Sequence, residues 1–125
     1  MITTLEAATA TAARLPAFER VVTLVLDGEL SDTELNEIGS ELFRLAHRGH
    51  ARLVLDLSDV SHIDYRGVRP LASRAAVFRK AGGDIKLAGL SPYLQAIFRA
   101  AGAGDAFELY ETPELAREAF ARAPH

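Results

Sequence analysis

The stretch SHIDYRGVRP, residues 61–70, places a histidine, an aspartate and a tyrosine within four residues of one another. His62, Asp64 and Tyr65 are residue types that can transfer protons in general acid–base catalysis. Covalent catalysis would also need a nucleophile within hydrogen-bonding distance of a base. Serines stand nearby at positions 58, 61 and 73, but the chain contains no G-x-S-x-G turn of the kind that presents a serine nucleophile. The sequence therefore gives little support for an enzyme.

Bound phosphate, nucleotide or metal would leave other signatures. The glycine-containing segments LDGELSD (26–32) and LAGLSP (87–92) have neither the Walker spacing nor the dinucleotide-binding spacing. The chain has no cysteine, and its four histidines form neither an HxxxH nor an HxH pair. We therefore expect no metal site and no cofactor.

The same stretch also has the pattern of a helix start. Asp64 is a favourable N-cap, because its carboxylate can accept hydrogen bonds from the backbone N–H groups of Arg66 or Gly67. Gly67 has no side chain, so another chain could approach the exposed N–H groups of the first turn, which attract anions. This interpretation accounts for Asp64 without any catalytic role.

Length, composition and charge set further bounds. The chain has 125 residues, 49% of them hydrophobic and 25% charged, which suits one domain with one core. The net charge of −3 does not favour binding to nucleic acid or to anionic lipid. No apolar run approaches the roughly 18 residues of a membrane span, and the first residues do not resemble a signal peptide. Together with the absence of cysteine, these features lead us to expect a cytoplasmic protein.

Periodicity predicts an alternation of strands and helices that would position these residues. Strand-like segments rich in branched residues occupy 20–30, 52–57, 84–90 and 106–110. Helical spacing, capping residues and terminal glycines predict helices over 31–49, 65–83, 91–102 and 112–122, with a loop over 58–64. Residues 1–15 form a separate N-terminal segment that could supply an additional edge strand. The order predicts an α/β fold with a mostly parallel, or mixed, sheet of four or five strands.

The apolar positions predict which side of each helix faces the sheet. The predicted inward residues are Leu35, Ile38, Leu42, Leu45, Val68, Leu71, Ala75, Phe78, Leu94, Ile97, Phe98, Ala101, Leu115, Ala119 and Phe120. Pro70 conflicts with a helix that begins at Asp64, because its ring would press on the carbonyl of Arg66. Either the first turn is distorted, or the regular helix begins nearer Arg69.

Several segments, in order, resemble the STAS domain. LVLDLSDVSHIDYRGV (53–68) and AGGDIKLAGLSPYLQAIFRAAGAGDAF (81–107) are similar to the central strand, the following helix start and the third strand and helix of that family. The resemblance extends from about Val21 to Phe120, so residues 16–125 are identified as a STAS-like domain. This is the fold of anti-sigma factor antagonists and of the cytoplasmic domains of sulfate transporters.

The resemblance assigns a role to the opening stretch. In phosphorylatable antagonists the helix start reads Asp-Ser-Ser-Gly or Asp-Ser-Gly-Gly, and the serine or threonine before the glycine receives phosphate from a partner kinase. Here the motif is Asp64-Tyr65-Arg66-Gly67, so Arg66 stands at the acceptor position and cannot be phosphorylated there. An exposed cation at a helix N-terminus costs only about 0.3–1 kcal/mol, so the fold tolerates it.

The partner-binding surface implied by the resemblance contains the helix start and the end of the first long strand. Its candidate residues are Asp64, Tyr65, Arg66, Gly67, Arg69, Asp27 and Ser31. Arg66, Arg69 and Ser73 are spaced to share one helical face, which could contact an acidic partner.

The resemblance thus predicts a non-enzymatic protein-interaction module, similar to an anti-sigma factor antagonist, that phosphorylation at the usual position does not switch. Its partner would be an anti-sigma factor, a GHKL-type kinase-like protein or another STAS-containing assembly, and a homodimer is compatible with the sequence. One alternative is an accessory subunit of a lipid-transport ABC system, or a domain of a scaffold or sensory complex. Another is a small-ligand or nucleotide-binding domain.

Overall fold

The computed structural model describes residues 2–6, 20–50 and 52–122, and within these ranges strands and helices alternate as predicted. The strands are β1 (Ile2–Glu6), β2 (Val21–Leu30), β3 (Arg52–Ile63), β4 (Asp84–Ala88) and β5 (Glu108–Tyr110). The helices are α1 (Asp32–His47), α2 (Val68–Lys80), α3 (Pro92–Ala100) and α4 (Pro113–Arg122), and a single 3₁₀ turn, Tyr65–Gly67, precedes α2.

The strands form one mixed sheet in the order β1-β2-β3-β4-β5. Strands β2 to β5 are parallel, and β1 pairs antiparallel with β2 at one edge. The expected N-terminal strand is therefore present at Ile2–Glu6, while the rest of the 1–15 segment lies outside the described residues. Because parallel strands end at the same edge of a sheet, this topology gathers the ends of β2, β3 and β4.

The helices α1, α2 and α3 share one large core with the sheet. Each crossover connects neighbouring parallel strands with the same handedness, which places the three helices on one face. The inward residues predicted for α1 and α2 are all buried, and in α3 Leu94 and Phe98 are buried while Ile97 is partly buried. The apolar periodicity of these helices was therefore a correct guide to packing.

Helix α4 covers the opposite face, where a smaller core contains Val54, Ala88, Ala116 and Phe120. The prediction that Leu115 faces inward is wrong, because its side chain is 39% exposed. The helix begins at Pro113, and its residues Ala116 and Phe120, which are about one turn apart, face the sheet.

Two further boundaries bear on the predictions. One differs from the predicted loop, and the other decides between the two arrangements predicted for Pro70. The loop predicted over 58–64 is mostly strand: β3 continues to Ile63, pairs with the end of β2 through an irregular register, and buries Val60 and Ile63. Pro70 is accommodated in the second way that the sequence allowed. The regular helix α2 begins at Val68, so Pro70 lies in its first turn, where a backbone N–H has no intrahelical partner.

Candidate functional site

The candidate site is the turn that joins β3 to α2, and backbone hydrogen bonds anchor it to β2. The N–H of Asp64 donates to the carbonyl of Leu30 at 2.9 Å, at the end of β2. Asp64 then caps the 3₁₀ turn: its Oδ1 accepts from the N–H of Arg66 at 3.0 Å, and its carbonyl accepts from the N–H of Gly67 at 3.0 Å. The capping predicted for Asp64 is thus present, although it caps a 3₁₀ turn and not α2 itself.

Arg66 forms an ion pair with Asp64 across this turn. Its Nη2 lies 2.7 Å from Oδ2, and its Nε lies 3.1 Å from Oδ1 and 3.2 Å from Oδ2, an arrangement in which both sides of the carboxylate are engaged. The side chain of Arg66 is 68% exposed and that of Asp64 is 21% exposed. The sequence predicted a positive charge at this position, and the structure shows in addition that its counter-ion belongs to the same turn.

The ion pair changes the protonation equilibria of both partners. The side-chain and backbone hydrogen bonds from Arg66 lower the pKa of Asp64 from 3.8 to about 2. The same side-chain hydrogen bond, followed by the charge of Asp64, raises the pKa of Arg66. Both groups therefore stay charged across the physiological range, and the turn presents a fixed dipolar pair.

Gly67 has a structural role that the sequence did not reveal. It is buried, and a Cβ atom built on it would lie 2.5 Å from Cδ1 of Leu35, 3.1 Å from Cβ of Leu35 and 3.2 Å from Cα of Asp32. The space left by the missing side chain is thus filled by α1 of the same molecule. The expectation that the glycine leaves room for another chain is corrected, because its free side faces inward.

Two aromatic residues and a histidine are also exposed at the site. Tyr65 is 61% exposed and Tyr93, at the start of α3, is 53% exposed. The rings of Tyr93 and His62 stack with centroids 5.7 Å apart, and the Tyr93 hydroxyl lies 2.6 Å from Nδ1 of His62. Among the described side chains, it is this hydroxyl, and not a serine, that His62 contacts. The arrangement is an exposed polar–aromatic surface.

Tyr93 was missed by the sequence prediction. The signal that could have identified it was the Ser91-Pro92 helix start, since the loop that follows β4 ends at the same edge of the sheet as the loop that follows β3. The Oγ of Ser91 caps α3 by accepting from the N–H of Leu94 at 3.2 Å, which fixes the start of the helix that carries Tyr93.

The remaining predicted residues lie around the turn with different functions. The Oγ of Ser31 accepts from the N–H of Glu34 at 3.2 Å, the cap predicted for α1, so this hydroxyl has a structural role. Asp27 is exposed at the end of β2, where it stands in register with Asp59 of β3. Arg69 is exposed in the first turn of α2. Arg66 precedes α2, so the regular helical spacing that was expected to place it beside Arg69 does not apply.

Comparison with known proteins assigns the chain to a family. The sequence profile of the STAS domain matches residues 12–116, which is most of the chain. The chain belongs to the STAS domain family. A relative is BtrV of Bordetella bronchiseptica, whose name places it among the anti-sigma factor antagonists. It is 28% identical over 95 residues, which cover 76% of this chain and 82% of BtrV.

Solved STAS structures have the same architecture. SpoIIAA, an anti-sigma factor antagonist solved in its unphosphorylated form, superimposes with a TM-score of 0.75 at 17% identity over 100% of both chains. An anti-sigma factor antagonist from Mycobacterium paratuberculosis gives a TM-score of 0.71 at 21% identity, covering 97% of this chain and 95% of that one. The chain thus has the fold of these two anti-sigma factor antagonists. None of the helices in the described ranges is long and apolar enough to cross a membrane.

Proposed function

We propose that this STAS domain is a non-enzymatic regulatory module that binds a protein partner through the Asp64–Gly67 turn. The partner is an anti-sigma factor or a GHKL-type kinase-like protein, and serine/threonine phosphorylation at the usual position does not control the complex. The observation that carries this proposal is the exposed Asp64–Arg66 ion pair, which occupies the position where the resemblance implies an erasable phosphate.

The difference in charge between a phosphoserine and Arg66 at this turn supports constitutive binding. A phosphoserine at this turn would add about −1.5 to −2 charges and three acceptor oxygens, and its removal would reverse the change. Arg66 contributes one permanent positive charge, which Asp64 largely compensates at close range. A partner that contacts this turn therefore meets the same electrostatic surface at all times.

The exposed aromatic residues beside the turn provide the contact area. Tyr65 and Tyr93 are large, rigid side chains with a polar end, which is the residue type that contributes most to the energy of protein interfaces. Because Tyr65 lies in the turn itself and Tyr93 stacks on His62, two residues before Asp64, one partner surface can contact the tyrosines and the ion pair together. We expect affinity to depend on the tyrosines and specificity to depend on the charged pair.

Site-specific photo-crosslinking in the native cell tests this proposal. The photoreactive residue p-benzoylphenylalanine replaces Tyr65 in one variant and Leu115 in the control, because Leu115 is exposed on α4 at the opposite face of the sheet. The proposal predicts that position 65, and not position 115, crosslinks to a protein with a GHKL-type kinase domain.

Other results would contradict the proposal in distinguishable ways. Recovery of an ABC ATPase from position 65 would show the same fold in a transport complex. Equal crosslinking from both positions, or none above background from position 65, would show that the turn is not a partner surface.

A further inference from the structure

A second surface lies between α1 and α2, apart from the aromatic residues at the sheet edge. It is a groove of about 210 Å³ whose walls are mainly apolar. Phe43 of α1 is 67% exposed and Val77 of α2 is 58% exposed beside it, and these are two of the most exposed large hydrophobic side chains among the described residues. Neither contributes to the core, so the fold does not require them to be apolar.

The shape of the groove depends on Arg74, which crosses from α2 to α1. Its Nη1 donates to the carbonyl of Asn36 at 2.9 Å, and its Nη2 donates to Oδ1 of Asn36 at 2.7 Å. The crossing is allowed because α1 has a glycine at position 39, where a Cβ would collide with the arginine side chain. Arg74 thus forms one end of the apolar groove and separates it from the Asp64–Gly67 turn.

The charged side chains that line the groove and its continuation are arginines. Arg74 lines the groove, and Arg48 lines its continuation past Phe43. Among the residues that the structure describes, no carboxylate lines either surface. Arg74 donates to the neutral Asn36, so its charge is not compensated there. Arg44 also lies at this end, where Glu41 pairs with it at 2.6 Å. The groove is therefore locally basic on a chain whose net charge is −3.

We propose that this groove binds a segment of a partner protein that carries a large apolar side chain flanked by carboxylates. The apolar side chain would enter between Phe43 and Val77, and the carboxylates would pair with Arg48 and Arg74. This is the arrangement of an acidic amphipathic helix lying in a groove, where apolar burial gives affinity and charge gives orientation.

A second copy of the chain is a less favourable occupant. A symmetric dimer formed through this face would bring the same basic residues of both copies together, and like charges across an interface oppose association. An acidic segment relieves this repulsion, which is why we assign the groove to a partner of opposite charge.

Titration of ¹⁵N-labelled protein with two matched peptides tests the proposal. The probe is a short helical peptide with leucines one turn apart and glutamates between them, and its control has lysine in place of every glutamate. We expect the glutamate peptide to bind with a Kd below about 1 mM and to shift the amide signals of residues 39–48 and 74–81. The lysine peptide should leave these signals unchanged.

Four variants assign the binding to the groove. Val77→Asp and Arg48→Glu should each weaken binding of the glutamate peptide about tenfold or more. Leu115→Asp and Arg99→Glu are controls of matched chemistry at exposed positions outside the groove, and they should leave the Kd unchanged. Thermal unfolding of all four shows whether each is folded at the temperature of the titration.

The proposal is overturned by any of three results. These are equal binding of the lysine peptide, no binding of the glutamate peptide up to about 1 mM, or signal shifts confined to other surfaces. Sedimentation velocity supplies the remaining comparison: a wild-type dimer that Val77→Asp dissociates would assign the groove to a second copy and not to an acidic partner.

Discussion

Replacing Gly67 by alanine should destabilise the protein. The sign of the change in the free energy of unfolding tests whether α1 packs against the candidate turn. The backbone at this residue, with φ −88° and ψ −11°, is one that alanine adopts readily. If the surroundings were open, alanine would stabilise the fold by about 0.4–1 kcal/mol, because it restricts the unfolded chain. The structure predicts the opposite sign, because the new methyl group would lie 2.5 Å from Cδ1 of Leu35, well inside ordinary van der Waals distance.

The magnitude follows from the cost of adding a methyl group to a packed contact. Overpacking of this kind typically costs about 1–3 kcal/mol, and Leu35 is itself only 3% exposed, so it cannot move into solvent. A loss of about 2 kcal/mol lowers the Tm of a domain of this size by roughly 6–10 °C. Urea denaturation monitored by circular dichroism measures the free energy of unfolding, with the m value reporting whether the two-state analysis holds.

A double-mutant cycle identifies the contact responsible. In a Leu35→Ala background the atoms beyond Cβ are absent, so Gly67→Ala should cost clearly less than it does in the wild type. A stabilising Gly67→Ala would refute the inference that α1 packs against this glycine, and a cost that is the same in both backgrounds would show that the Leu35 side chain is not the contact responsible.

Three further predictions concern the ion pair and the caps. By NMR titration of its side-chain carboxyl carbon, Asp64 should have a pKa of about 2, and this pKa should return toward 3.8 in Arg66→Ala. Because the folded-state pKa is depressed, this carboxylate stabilises the fold above its ordinary pKa, and the stability is lost as the pH falls from about 3.8 through 2. Equal titration of Asp64 in both proteins would show that the pair does not form in solution. Arg66→Glu should weaken binding to the crosslinked partner while its Tm stays within a few degrees of the wild-type value, because Arg66 is largely exposed; a cooperative loss of structure would mean that the residue is structural. Ser31→Ala and Ser91→Ala should each cost about 0.5–2 kcal/mol in urea denaturation, since each serine caps a helix, and a change below about 0.3 kcal/mol would show that neighbouring groups replace the cap.

The helices and their alternation with strands could be predicted because local signals agreed with one another. Ser31 and Ser91 mark helix starts, and the apolar residues of α1 and α2 recur at the spacing that buries one side. The end of β3 could not be predicted in the same way. Ser58 and Asp59 have the composition of a loop, and only the pairing with β2, a contact distant in sequence, keeps that segment extended.

The side-chain environments on the second face of the sheet could not be predicted from the sequence either. Lys86 is only 4% exposed, because α4 covers the face toward which it points. Its Nζ lies 2.6 Å from Oε2 of Glu108 and 4.6 Å from the ring centroid of Phe120. In the sequence DIKLA this lysine resembles the solvent-facing position of a half-exposed strand, and only the position of α4 shows otherwise.

The residues of the Asp64–Gly67 turn could be singled out from the sequence, but the geometry of the turn could not. The resemblance to the STAS domain identified Asp64 and Arg66 as the positions of interest, but the hydrogen bonds between their side chains depend on a 3₁₀ turn. That turn arises because Pro70 moves the start of α2 to Val68. Tyr93 reaches the site from a different strand connection, and no local pattern links it to His62.

Arg66 is proposed to make the partner surface insensitive to phosphorylation at the usual position, and a comparison of binding affinities decides whether it does. Isothermal titration calorimetry measures the affinity of the partner recovered by crosslinking for the wild type and for Arg66→Ser. Each affinity is measured before and after the STAS domain has been incubated with the cognate kinase and ATP. We expect an unchanged Kd for the wild type and a weakened complex for Arg66→Ser after ATP treatment. An ATP-dependent change in the affinity of the wild type would contradict it.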